Sequence, residues 1–115
     1  MSSDNFFSEL LIQFPKLESE FDTEDGLHYK MNRFANYTIE QIEQKNIEEL
    51  NKCFDFVESR IRLLTPDIEN ALNVSYCETL LCYDQPKRGI EMKNMMPKQL
   101  FRFYLDYKKY YNSLG

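Results

Sequence analysis

His28 is the only histidine in the sequence. A lone imidazole cannot build a conventional zinc site, and Cys53, Cys77 and Cys82 share no CxxC spacing that would complete one. As a general base His28 would need a nucleophile beside it, and no motif supplies one: GxSxG is absent, and so is any glycine-rich phosphate loop. Its place after Gly26 and Leu27, at a helix start, reads as a surface or capping side chain. The run Asp22, Thr23, Glu24, Asp25, Gly26 is acidic enough for calcium. An EF-hand loop, however, needs glycine at its sixth position and a bidentate glutamate at its twelfth, and Gly26 falls one place early while Arg33 sits where the glutamate belongs. The neighbouring carboxylates Glu18/Glu20 and Glu48/Glu49 are adjacent along the chain, which gives no convergence across a cleft of the kind acid–base hydrolysis requires. The residue types therefore predict no catalytic, cofactor or metal site, and they favour binding over chemistry.

Charge carries more information. The chain has a net charge of −5 over its 115 residues, divided as about −6 in residues 1–26, −4 in 27–84 and +5 in 85–115. Two readings stay open: the ends lie together and neutralise each other in part, or the acidic end meets a basic protein partner. For the second, the candidate partner-binding residues are Glu18, Glu20, Asp22, Glu24 and Asp25, clustered at a turn where side chains can project without disturbing a helix stripe. At the other end, Lys98, Arg102 and Lys109 alternate with Tyr and Phe, a superficially nucleic-acid-like pattern. The aromatics fall on the inward arc of that helix, and a pI near 4.9 opposes phosphate affinity. No nucleic-acid partner is expected.

The elements that must position these residues are helices. Only three glycines and four prolines interrupt the chain, too few for many short strands with tight turns. Phe7, Leu10, Leu11 and Phe14 form one helical stripe over Asp4–Phe14, and Pro15 starts a short turn carrying Leu17 and Phe21. Leu27, Met31, Phe34, Ala35, Thr38 and Ile42 mark a helix over Leu27–Gln44. Asn46 with Glu49 is a capping-box pattern for a helix over Ile47–Leu64, whose inward residues are Ile47, Leu50, Phe54, Val57 and Ile61. These two helices should pack antiparallel across their short connection. Thr65 and Pro66 open another helix, and Ser75 with Glu78 suggests a break near Asn73–Val74. Asp84–Met95 reads as the longest loop. Pro97 begins a last helix that ends near Asn112, with Leu100, Phe103, Tyr104, Tyr107 and Tyr111 inward. The expectation is a single all-α domain over 1–115, an irregular bundle of five or six helices or a stack of helical hairpins.

Met1–Pro15 lacks the basic start of a signal peptide, Asp4 and Glu9 interrupt its apolar run, and no stretch approaches the roughly 18 apolar residues of a membrane span. An odd number of unpatterned cysteines fits reduced thiols. A cytoplasmic protein without a membrane partner is expected.

The segment Leu10-Leu11-Ile12-Gln13-Phe14-Pro15-Lys16-Leu17, of the form LLxxFPxL, resembles small all-helical bacterial proteins of unknown function that are similar to toxin immunity proteins, including those of contact-dependent inhibition. The resemblance extends through Phe34–Thr38, Cys53–Glu58, Asn73–Glu78 and Met96–Leu100. It assigns no binding residue. It implies an immunity protein that binds and neutralises a cognate toxin domain, with a non-catalytic helical adaptor or regulator as the alternative; an enzyme with an unfamiliar site stands third.

Overall fold

The computed structural model describes residues 1–22, 25–84 and 89–114. Helices make up its architecture: α1 (Ser3–Gln13), a 3₁₀ turn (Pro15–Glu20), α2 (Leu27–Glu43), α3 (Ile47–Glu58), α4 (Pro66–Ala71), a π-helical segment (Leu72–Cys77), α5 (Glu78–Tyr83), α6 (Gly89–Met95) and α7 (Lys98–Ser113). No strand occurs among the described residues. The all-α bundle expected from the stripes is what forms. Nor is any described helix long and apolar enough to cross a membrane.

The core is aromatic. Phe6, Phe14, Phe34, Phe54, Phe56, Tyr76 and Tyr104 are all at most 1% exposed. Phe34 lies at their centre, stacked on Tyr76 at 5.0 Å and meeting Phe14 and Phe56 at 5.7 and 5.9 Å. Such offset and edge-to-face contacts add to the area that these rings remove from water. The polar pair at its centre is satisfied: the Thr38 hydroxyl donates to the Phe34 carbonyl and lies 3.0 Å from the Tyr76 hydroxyl.

The helix ends follow local chemistry. Ser2 caps α1 by accepting from the Asn5 N–H, and Asn46 caps α3 by accepting from the Glu49 N–H. Only half of the capping box at Asn46 is made, because the Glu49 carboxylate turns away to accept from the Tyr37 hydroxyl. Lys45 sits at φ 56° and turns the chain between α2 and α3. Tyr37 pairs with Glu49, and Phe34 with Phe56, the nested order of an antiparallel hairpin. α7 has no side-chain cap of its own. Glu58, the last residue of α3, supplies one from outside by accepting from the N–H groups of Gln99 (3.0 Å) and Leu100 (2.8 Å).

Four expectations need correction. α3 ends at Glu58 and does not run to Leu64. The hydroxyl of Ser59 and the guanidinium of Arg60 take the Phe56 carbonyl, while the Arg60 N–H pairs one residue short, with Val57. The break expected at Asn73–Val74 is no break. The chain stays helical but widens into a π turn, with the Glu78 N–H reaching back five residues to the Asn73 carbonyl. Part of the expected loop Asp84–Met95 is α6, with residues 85–88 outside the described residues. Finally, Tyr111 and Ile47, read as inward, are 41% and 50% exposed.

Candidate functional site

The 3₁₀ turn stands out from the bundle as a charged ridge. Pro15 starts it, since its fixed φ suits a first helical position and its missing N–H is not needed there. Leu17, fully buried, pins it to the core. The remaining residues of the turn are exposed, so Glu18 and Glu20 project from a short, anchored scaffold. Among the described residues neither carboxylate has a hydrogen-bond or ion-pair partner.

A cleft opens on each side of the ridge. The first, about 370 Å³, gathers Asp4, Glu18 and Asp22 with a single base, Lys30, around Phe7, Leu11 and Phe21. The Lys30 ammonium lies 5.6 Å from the centre of the Phe7 ring, a cation–π distance. The second cleft, also about 370 Å³, gathers Glu20, Glu40 and Glu49 with a single base, Lys16. Glu49 is engaged there, by Tyr37 and by Lys52 at 3.5 Å. Burial, with the Glu49 carboxylate second, pushes the Tyr37 hydroxyl far above its ordinary value and keeps it a neutral donor.

The five candidates therefore divide. Glu18 and Asp22 share one cleft, and Glu20 faces the other. Asp25 is used in folding: its carboxylate accepts from the Asp22 N–H at 2.8 Å, and its own N–H returns to the Asp22 carbonyl at 3.1 Å. Glu24 lies outside the described residues. Asp4, Glu40 and Glu49 join the acidic surface only through tertiary packing, and no local pattern in the sequence links them to the ridge.

The two charged ends of the chain turn to its middle. Glu9 pairs with Arg60 at 2.8 Å, where the guanidinium also lies 3.8 Å from the Phe56 ring centre. Lys93 and Lys108 converge on Asp84 at 3.0 and 3.7 Å, beside the Tyr104 hydroxyl at 2.8 Å. None of these pairs joins the acidic end to the basic one.

His28 meets a hydroxyl after all. Its Nδ1 lies 2.9 Å from Ser75 Oγ, in the π segment. Next to it, Asn32 donates to the Thr79 hydroxyl at 3.2 Å, and that hydroxyl donates to the Ser75 carbonyl at 2.8 Å. Among the described residues His28 has no second hydrogen-bond partner to fix its ring as the base of a hydrolytic triad is fixed. The cluster ties the start of α2 to the widened turn. No three His, Cys, Asp or Glu side chains among the described residues are placed to hold a metal ion.

Fold and surface together define an all-α protein whose most prominent exposed feature is an anchored acidic turn between two acidic clefts. The chain belongs to the family described as Domain of unknown function (DUF7674), whose model matches residues 7–112. No curated protein and no solved structure matches it.

Proposed function

We propose that this protein is a cytoplasmic immunity protein that binds and neutralises a bacterial toxin domain, and that the 3₁₀ ridge meets a basic surface of that domain. The reading rests on Glu18 and Glu20, two exposed carboxylates without partners among the described residues, on a turn held by Leu17 and flanked by further acids. Carboxylates whose field is not cancelled internally attract a cationic partner over roughly a Debye length, about 8 Å at physiological salt. Such steering raises association rates by about 10- to 1000-fold. The protein acts by occupancy and does no chemistry on its partner. An adaptor that docks a basic protein by the same ridge is the second reading.

The test is co-expression with the toxin domain encoded beside the gene. Wild type should rescue growth. The triple variant Glu18→Gln/Glu20→Gln/Asp22→Asn should associate about tenfold more slowly, with a flatter salt dependence and an unchanged circular dichroism spectrum. Failure of wild type to bind or rescue refutes the immunity reading and leaves the adaptor. Rescue with an unchanged association rate in the triple variant refutes the ridge.

A further inference from the structure

Alongside α7 the surface forms a trough with opposite charge at its two ends. One end, about 150 Å³, has Arg62 and Arg102 over Ile61 and Phe103. The other, about 400 Å³, lies between α7 and the helix that carries the π segment, with Glu69 and Asp106 beside Val74, Tyr107 and Tyr110. Phe103 and Asp106 line both parts, so the trough is continuous. All four charged residues are exposed, and among the described residues none of their side chains has a hydrogen-bond or ion-pair partner. Between them Phe103, Val74 and Tyr107 form an apolar strip edged by Asn70 and Asn73, and Val74 and Tyr110 remain 36% and 57% exposed.

We propose that this trough is the docking groove for one amphipathic helix of a protein partner, with an acidic residue over Arg62 and Arg102 and a basic residue over Glu69 and Asp106. The partner's base starts beside Tyr110, about 12 Å along α7 from Arg102, and reaches back to Asp106, one turn nearer Arg102, so the two partner residues are about seven or eight positions apart on one helix face. The apolar residues between them cover Phe103 and Val74, and the base lies against the ring of Tyr110. The charge pattern excludes a partner of single sign: a phosphate chain that satisfied the arginines would run onto two carboxylates. The walls favour a helix over an extended segment. Apart from Ile61 and Arg62, which lie in the turn after α3, they are side chains on helices whose backbone groups are already bonded, so they give an extended peptide no strand edge to pair with, whereas a helix satisfies its own N–H and C=O groups. A helix parallel to α7 carries its acid towards its own N-terminus and its base towards its C-terminus, the order that its dipole favours. This groove is independent of the 3₁₀ ridge and acts whether or not the ridge binds a toxin.

The probe is a fluorescein-labelled helical peptide with one Glu and one Arg about eight residues apart and leucines on the face between, titrated with the full chain. A control peptide carries Gln at both charged positions. The charged peptide should bind at least about tenfold more tightly than the control and lose that advantage in high salt. Arg62→Glu/Arg102→Glu and Glu69→Lys/Asp106→Lys should each weaken binding about tenfold. The quadruple variant, whose trough has both ends reversed, should regain it by taking the peptide the other way round. All four positions are exposed, so circular dichroism and melting should stay as in wild type. The Glu18→Gln/Glu20→Gln/Asp22→Asn protein should bind the peptide normally, which separates this groove from the ridge. No binding at about 1 mM, equal affinity for the Gln control, or indifference to either double reversal overturns the proposal.

Discussion

Removal of the Glu58 carboxylate tests how the last helix is attached. In Glu58→Ala, the Gln99 and Leu100 N–H groups at the start of α7 lose an anionic acceptor at 3.0 and 2.8 Å. Nothing local replaces it, because Pro97 provides no side-chain cap. Loss of an ordinary N-cap costs about 0.5–2 kcal/mol, and a hydrogen bond to a charged group is worth about 1.5–3 kcal/mol net. The Gln99 end is partly open to water, which rehydrates one donor and holds the total below two full charged bonds. We expect a loss of about 2 kcal/mol, or about 8 °C in Tm at roughly 4 °C per kcal/mol for a chain of this size. Glu58→Gln keeps one acceptor oxygen but turns an amide NH₂ towards the second N–H, so it should lose about half as much. Urea titrations give the free energies, and hydrogen exchange should show faster exchange at Gln99 and Leu100. A loss below about 0.5 kcal/mol for the alanine variant, or a glutamine variant less stable than the alanine one, refutes the remote cap.

Three further outcomes are expected. Phe34→Ala and Phe54→Ala should each cost about 3–5 kcal/mol in urea denaturation, because both rings are fully buried; losses below about 1 kcal/mol at both would mean that these rings do not carry the core. Asp84→Asn should change the acid limb of stability. Burial works to raise the Asp84 carboxyl, but the Tyr104 hydroxyl and the Lys93 and Lys108 ammoniums outweigh it and hold it below the ordinary aspartate range. Its contribution is thus complete above the unfolded value near about 3.9 and fades as pH falls through the lower folded value, so the gap in urea midpoints between wild type and variant should shrink from about pH 7 to about pH 2. Ellman's reagent should titrate only Cys82 in the folded protein, since Cys53 and Cys77 are buried and burial pushes both thiols up to about 12; rapid reaction of all three would refute the packing around α3 and the π segment.

What could be read from the sequence was what a helical wheel encodes. Met31, Phe34, Ala35 and Thr38 on α2, and Leu50, Phe54 and Val57 on α3, are buried as their spacing predicts. Phe6 and Phe56 are buried too, and the stripes omitted them. Phe56 touches Phe6, Phe14 and Phe34 from the flank of α3, because a helix packed on several neighbours buries a wider arc than one stripe. Tyr111 failed for the opposite reason: beyond Tyr107 the helix has outrun its supports, and residues 109–114 are exposed. Ser75 and Glu78 marked the right place with the wrong geometry. Their side chains are engaged at long range, by His28 and by the Tyr107 hydroxyl at 3.0 Å, and not by one another's backbone. The exposed carboxylates of the ridge were legible as a charge cluster. The clefts beside them were not, since Asp4 reaches Glu18, and Glu20 reaches Glu40, only after α1 and α2 have packed against the turn.

The wide turn at Leu72–Cys77 leaves α4 and α5 winding out of phase with each other. If the same residues wound as an ordinary α-helix, whose turn holds one residue fewer, everything downstream would rotate by about 100°. Thr79 would then swing away from Asn32, Glu78 from Tyr107, and Asp84 from its two lysines, the contacts now at 3.2, 3.0, 3.0 and 3.7 Å, with none of those side chains altered. The extra residue held in this turn sets the phase of α5, which several substitutions would otherwise be needed to shift. Over these six positions, the spacing of the chain specifies the fold as much as the identity of its residues.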